Sequence, residues 1–411
     1  MKIAIMMRAM DQDSGFRAYV EGLVRQLLST EDEHSYVLLY RRPKWFGRFA
    51  NYKKAKEILV RAPHKVLWDQ IAVPYVAWRE GADVIFNPKF SVPFLSSCPV
   101  AMGLQEPDWW VSPESYQPAD RRTVKLLLPL YCRKADQLFP MSQFNLEESR
   151  KYLGLPLRNS VVTYTCPGTH MRPITDATEL REFRNKWNLP DRFILAVTRV
   201  DHPGLDDFQK LPGFYPGKNP ETILRAFLLI RDEIPHHLVF AGRRVREYML
   251  ALGFTEPDFE RVHFITFVPY EELPKLYNTA ELSVVSAYYD GCSTVMLESM
   301  ACGCPVVSSE TGACPEIGGG ASLHANPRDP ADFAAKIRRL ATDRELQRQL
   351  GQKSIERAAS FNWQQQAEAT LRGLVEAVGR RARRWHGRHA LKAMGRTVAV
   401  AFLTHGAAWF S

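Results

Sequence analysis

One stretch constrains the fold of this 411-residue chain more than any other: Leu282 to Pro315, LSVVSAYYDGCSTVMLESMACGCPVVSSETGACP. Its apolar opening, Leu282 to Ala287, is too short for a helix and predicts a buried parallel strand. Asp290, Gly291, Ser293 and Thr294 favour turns and helix caps, and the VMLESMA that follows consists mostly of strong helix formers, so a short helix is expected from near Val295. Gly303 suits the left-handed residue that ends a helix, and Cys304 to Ser309 reads as a second apolar strand. The unit is strand, loop, helix, strand. It sets a helix N-terminus at the carboxyl end of a parallel strand, where free N–H groups and the helix dipole attract an anion such as phosphate. Asp290 and Glu298 flank that place. Acids beside an anion repel it, so their fitting partners are hydroxyls, and phosphate together with polyols describes a nucleotide sugar.

Asp290 and Glu298, with GCSTVMLESMACGCPVVSS around them, resemble the donor-binding motif of retaining GT-B glycosyltransferases of family four, the group 1 glycosyltransferases. The resemblance extends over residues 1 to 378. It implies an α/β GT-B fold, with two doubly wound Rossmann-like domains facing a central cleft. The expected domains are 1–170 on the acceptor side and 171–362 on the nucleotide-sugar side, then a helix over 363–378 crossing back, and a basic tail over 379–411. It also implies that the first acid, usually Glu and here the shorter Asp290, contacts the donor sugar, and that Glu298 contacts the ribose. RFILAVTRV followed by Lys218-Asn219-Pro220 is similar to the family's Gly-Arg and Lys-Asn element, with Thr198 in place of glycine. Arg199 and Lys218 would then meet the diphosphate, Arg as a fork and Lys as a point charge. The family resemblance puts the backbone of Phe267 and Val268 at the base, and Gly15, between the first strand and its helix, across the cleft. Gln105 stands where related enzymes carry a histidine, which leaves Glu106 and Asp108 as the ionisable groups nearest the sugar.

Arg199, Lys218 and Asp290 form the expected catalytic set; Gly15, Gln105, Phe267, Val268, Gly291, Cys292, Ser293, Thr294, Val295 and Glu298 form the expected donor site. No cofactor or metal is expected, because fixed cations and the helix N-terminus would stabilise the leaving diphosphate. The expected partners are a nucleotide-sugar donor of GDP-mannose or UDP-glucose type and a saccharide or lipid-linked acceptor. A rival reading is a GT-B protein that binds nucleotide sugars without turnover. A nicotinamide-dependent oxidoreductase is disfavoured, because no GxGxxG follows the first strand.

Composition narrows the rest. A chain of this length exceeds the roughly 250 to 300 residues at which single cores stop growing, so two domains are expected. The seven cysteines include Cys302, Cys304 and Cys314, without CxxC pairs, and read as buried free thiols in a reducing compartment. MKIAIMM reads as a strand, too short for a signal peptide's apolar region, and a cytoplasmic protein is expected. Of 54 basic residues, seven follow Glu376 without any acid, leaving 47 against 45 acidic residues before it. So nearly neutral a body disfavours nucleic acid as a partner. Two segments raise an anionic membrane surface instead. Arg41 to Lys56 interleaves seven cations with Trp45, Phe46, Phe49 and Tyr52, and is either an interfacial patch or a solvated loop. In the tail, cations precede VAVAFLTHGAAWF, which is too short to span a bilayer and either lies along its surface, stays disordered or packs on the body.

Overall fold

Short β-branched runs separated by amphipathic helices predict parallel strands with crossover helices, and the computed structural model has that arrangement twice. It describes residues 1–11, 15–111, 113, 116–200 and 217–383. The first sheet contains β1 (Lys2–Met6), β2 (Ser35–Tyr40), β3 (Ala55–Leu59), β4 (Val84–Asn87), β5 (Val100–Leu104) and β6 (Gln137–Pro140) in the order β3-β2-β1-β4-β5-β6. The second contains β7 (Phe193–Val197), β8 (His237–Ala241), β9 (Val262–Ile265), β10 (Leu282–Val285), β11 (Val306–Ser309) and β12 (Ser322–Ala325) in the order β12-β11-β10-β7-β8-β9. Every pairing is parallel. The two orders are the same doubly wound topology, each reversing direction beside its first strand. The chain has the GT-B architecture, two Rossmann-like domains.

Both sheets are covered on two faces, and their central strands are accordingly apolar throughout. The helix Gly15–Ser29 buries Tyr19, Val20, Leu23, Val24, Leu27 and Leu28 against β1 and β2, each such side chain contributing about 1.5–3 kcal/mol. Helical periodicity puts Phe16 on one stripe with Val20, Leu23, Val24, Leu27 and Leu28, but Phe16 lies at its margin and Tyr19 takes the buried place. The helix over 363–383 packs on the first domain, with Ala367 and Leu374 in the same core as Ile3 and Ile5. Trp363 lies over Gly22, where a Cβ would come within 2.5 Å of the indole ring.

The structure corrects the local expectations in several places. The β-branched run Asn159 to Thr165 predicts a last strand of the first domain, but it follows β6 through bonds such as Leu138 N–H to Asn159 O at 2.8 Å and forms only one isolated bridge. Gly15 is the first residue of its helix, after a 3-10 turn over Met7–Asp11, while Ser14 lies outside the described residues. Thr342-x-x-Glu345 predicts a capping box opening a helix, but Thr342 ends the helix Pro330–Thr342, and the cap of Arg344–Ala359 is Asp343, whose carboxylate accepts from Leu346 N–H. In the basic segment Phe49 is fully buried and Trp45 and Tyr52 pack on the core, which leaves Phe46 as its exposed aromatic. The tail beyond residue 383 lies outside the described residues.

Candidate active site

In a doubly wound sheet the loops leaving adjacent strands part to opposite sides where the strand order reverses, opening a crevice at the carboxyl ends. In the second domain that point lies between β7 and β10. Arg199 follows β7 and is exposed. Lys218 stands at the far end of the same connection, just before the helix Pro220–Ile230, and Asp290 comes from the other side, in the loop after β10. Asn219 holds Lys218 in place. It is buried with φ 49°, a left-handed position that Asn tolerates better than most residues. Its side-chain amide donates to Ser286 O at 3.0 Å and Pro327 O at 2.8 Å, while its backbone carbonyl accepts from the Ser286 hydroxyl at 2.6 Å. The Lys218 loop is thereby fastened to the end of β10.

Lys218 Nζ meets Asp290 Oδ2 at 2.7 Å, with the carboxylate buried and the lysine side chain half exposed. Burial would lower the Lys218 pKa, but Asp290, then Glu106 and Asp108, outweigh it and hold the ammonium well above its ordinary range. Asp290 Oδ1 accepts from Cys292 N–H at 3.2 Å, so the carboxylate also shapes its own loop. The helix Thr294–Ala301 then begins at Ser293, whose hydroxyl makes no capping bond. Ser293 Oγ and Thr198 Oγ1 are both buried without a partner, and both residues line one cavity of about 20 Å³ together with Lys218 and Asp290. That volume holds about one water. A lysine, an uncapped helix start and two unsatisfied hydroxyls therefore converge on one small polar space.

Glu298 sits inside the same helix, 5% exposed, and Tyr277 donates to its Oε2 at 3.3 Å. Burial raises its pKa to about 7, against the hydrogen bonds from Tyr270 and Tyr277 that favour the charged form. Phe267, just past β9, is 65% exposed, and Val268 beside it is half-buried. Facing these residues, the first domain contributes the loop after β5. Gln105 leaves the strand half-buried, and Glu106 reaches the donor loop: a Cβ on Gly291 would lie 2.6 Å from Glu106 Oε2. Burial and then Asp290 raise the Glu106 pKa; burial and then Glu106 raise that of Asp108 further, although Tyr116 donates to Asp108 at 3.2 Å. Gly15 has nothing within 4 Å of where its Cβ would point, so packing does not require glycine there. The structure thus brings Lys218, Asp290, Ser293 and Val295 around one small cavity, sets Glu298 with Tyr277 one turn deeper, and leaves Arg199 exposed just past the end of β7. Gly15, Gln105, Phe267 and Val268 stand apart along the cleft.

Residues 210–357 match the family model of group 1 glycosyl transferases. O-antigen chain mannosyltransferase B from Escherichia coli is 24% identical over 79% of this chain and 82% of its own length. D-inositol 3-phosphate glycosyltransferase from Corynebacterium jeikeium (strain K411) is 32% identical over 37% of this chain, and the match spans 39% of that relative. Among solved structures, Anabaena HepE in complex with UDP and glucose superposes with a TM-score of 0.65, at 16% identity, over 90% of this chain and 99% of the other. Over residues 210–357 the chain thus matches the group 1 glycosyl transferases, and its fold is the GT-B fold. The matched segment contains Lys218, Asp290 and Glu298, so the family match and the polar cluster fall on the same residues.

Local patterns do not reveal three further parts of the site. Ser142, whose place before a helical run predicts a cap, accepts from Asn145 N–H at 2.9 Å and also donates to Gly291 O at 2.6 Å across the cleft. Glu316 reaches from the second domain to accept from Gln143 and Phe144 N–H at 2.8 and 2.9 Å, at the N-terminus of the helix Gln143–Leu153, where its charge also favours the helix dipole. Gly242, after β8, has φ +150°, and a Cβ there would lie 1.6 Å from Thr198 O. Only glycine lets that loop pass so close to the residue preceding Arg199.

Proposed function

We propose that the protein transfers a hexose from a nucleoside-diphosphate sugar, with retention of anomeric configuration, to a saccharide or lipid-linked acceptor. The observation that carries this reading is the convergence of Lys218, Asp290 and the uncapped helix start at Ser293 in the crevice between β7 and β10. In the reaction the bond from sugar C1 to the phosphate oxygen breaks, and its electron pair stays on the diphosphate. The acceptor oxygen bonds to C1, and its proton passes to the departing phosphate oxygen. Negative charge grows on the diphosphate, so Lys218, Arg199 and the N–H groups of Thr294 and Val295 stabilise the transition state more than the bound substrate. These groups supply the positive charge, and the reading assigns no role to a metal ion. Asp290 pairs with Lys218 and turns to a sugar hydroxyl when the phosphates take the ammonium. Glu298 accepts from the ribose, and the backbone at Phe267 and Val268 meets the base. Names printed for the similar proteins, a mannosyltransferase and a complex with UDP and glucose, support a GDP-mannose or UDP-glucose type of donor.

The replacement of the expected histidine by Gln105, and the locked Lys218–Asp290 pair, favour one second reading, nucleotide-sugar binding without turnover. Melting curves with GDP-, UDP- and ADP-sugars, followed by assay of donor hydrolysis and transfer, separate the two. The proposal expects stabilisation by one nucleotide class together with release of its diphosphate. Stabilisation without release assigns the binding reading, and no stabilisation by any of them refutes both.

A further inference from the structure

The first domain carries a surface that the donor chemistry does not use. Residues 65–79 run as a helix through Lys65–Leu67, a π turn at Trp68–Ala72 and Val73–Arg79. One side buries Trp68, Val73, Val76 and Ala77, while Leu67, Ile71, Tyr75 and Trp78 remain 42%, 57%, 57% and 65% exposed. Steps of four, four and three put those exposed side chains on one stripe. Tyr75 and Trp78 touch ring to ring at 6.1 Å.

The apolar face does not stop at this helix. Gln70 donates to Val92 O at 3.1 Å and accepts from Phe94 N–H at 2.9 Å, fastening the loop that holds Phe94 and Leu95, the latter 79% exposed. Phe94 stacks on Tyr131 at 5.2 Å, which joins the loop to the helix Pro118–Lys134, where Leu126 and Leu130 are 67% and 42% exposed. Scattered apolar side chains are ordinary on a surface, but a continuous set on two helices and the loop between them marks an interaction site.

Charge selects the occupant. The helix Pro118–Lys134 carries Arg121, Arg122, Lys125, Arg133 and Lys134 against one acid, Asp120. Residues 65–79 begin on Lys65 and end on Arg79, and their one acid, Asp69, is buried with 4% exposure. We propose that this face docks the protein on a bilayer containing anionic lipid, with helix 65–79 lying in the headgroup plane and Trp78, Tyr75, Ile71 and Leu126 entering the acyl boundary. Aromatic rings with polar edges and cations on aliphatic stems suit that boundary, where each finds its own medium. At about 22 Å the helix is shorter than the roughly 30 Å hydrocarbon layer, and among the described residues no helix is long and apolar enough to cross it. The inference is independent of turnover and of the tail.

The test sediments the full chain with vesicles of phosphatidylcholine alone and of phosphatidylcholine mixed with phosphatidylglycerol. Binding to the mixed vesicles is expected, weakening with salt, and the double variant Ile71→Glu, Trp78→Glu should lose at least about tenfold in partition. Both side chains are exposed, so the variant should melt with the wild type and keep its stabilisation by a nucleotide sugar. Brominated lipid gives a readout that needs no such variant: it should quench the wild type more than Trp78→Phe, which removes the reporter but keeps the apolar ring. Equal sedimentation of wild type and double variant, or no binding by the wild type, overturns the proposal. A concentration-dependent dimer that the double variant dissolves overturns it too, in favour of a second copy of the chain as the occupant.

Discussion

Replacing Glu298 by Gln should stabilise the ligand-free protein in alkaline solution while weakening its hold on the donor. Glu298 is 5% exposed, and burial lifts its pKa from the ordinary 4.5 to about 7. A carboxyl whose pKa is higher folded than unfolded contributes stability that is complete below the unfolded value and is lost as the pH rises through the folded one. At about 1.4 kcal/mol per pH unit, keeping this carboxylate charged inside the protein costs about 3 kcal/mol above pH 7. Gln keeps the shape and can still accept from the Tyr277 hydroxyl, but it does not ionise. The variant should therefore match the wild type near pH 4.5 and gain on it up to pH 8, by at most about 3 kcal/mol or roughly 6–12 °C in melting temperature. Melting curves of both proteins across that range make the measurement. In the same proteins the donor KM should rise in the variant with kcat little changed, as expected for a group that binds substrate and transition state alike. A variant less stable than the wild type at pH 8, or a gap that does not widen with pH, would refute the argument that burial sets this carboxyl.

Lys218→Ala and Arg199→Ala should each lower turnover by roughly 10²- to 10³-fold, as when one stabiliser of developing charge is removed; near-wild-type rates in both would remove them from the diphosphate. Because the Lys218 side chain is half exposed and Asp290 keeps its bond from Cys292, Lys218→Ala should cost only about 1 kcal/mol in urea melts. Gly242→Ala should destabilise by on the order of 3 kcal/mol, since its Cβ cannot stand 1.6 Å from Thr198 O; a wild-type melt would contradict that close approach. Ser142→Ala should cost about 1 kcal/mol as a lost cap and raise the donor KM through the freed Gly291 carbonyl, and an unchanged KM would make Ser142 a cap alone.

The parts of the fold that were legible in the sequence are those written locally. The strand, loop, helix, strand order of Leu282 to Ser309 follows from an apolar run, turn formers, helix formers and Gly303, and the structure keeps that order. Asn159 to Thr165 carries the same β-branched composition but lies at the sheet's border, where it meets β6 through alternate backbone bonds and forms no ladder. Thr342 and Asp343 both suit a cap, and the carboxylate won because the preceding helix runs through Thr342. Ser142 with Gly291, 149 residues apart, and Gln143 with Glu316, 173 apart, are brought together only by the way the domains pack, which no local period encodes. The exposed stripe of helix 65–79 was hidden for a related reason: apolar spacing reports a face and not what covers it.

Titration calorimetry of the full chain with UDP, GDP and ADP, each set against its nucleoside, tests the diphosphate site most directly. One nucleoside diphosphate should bind one to one and at least about a hundredfold more tightly than its nucleoside, with most of that difference lost in Lys218→Ala. Equal affinity for nucleoside and nucleoside diphosphate, or a preference that Lys218→Ala leaves intact, would contradict the account.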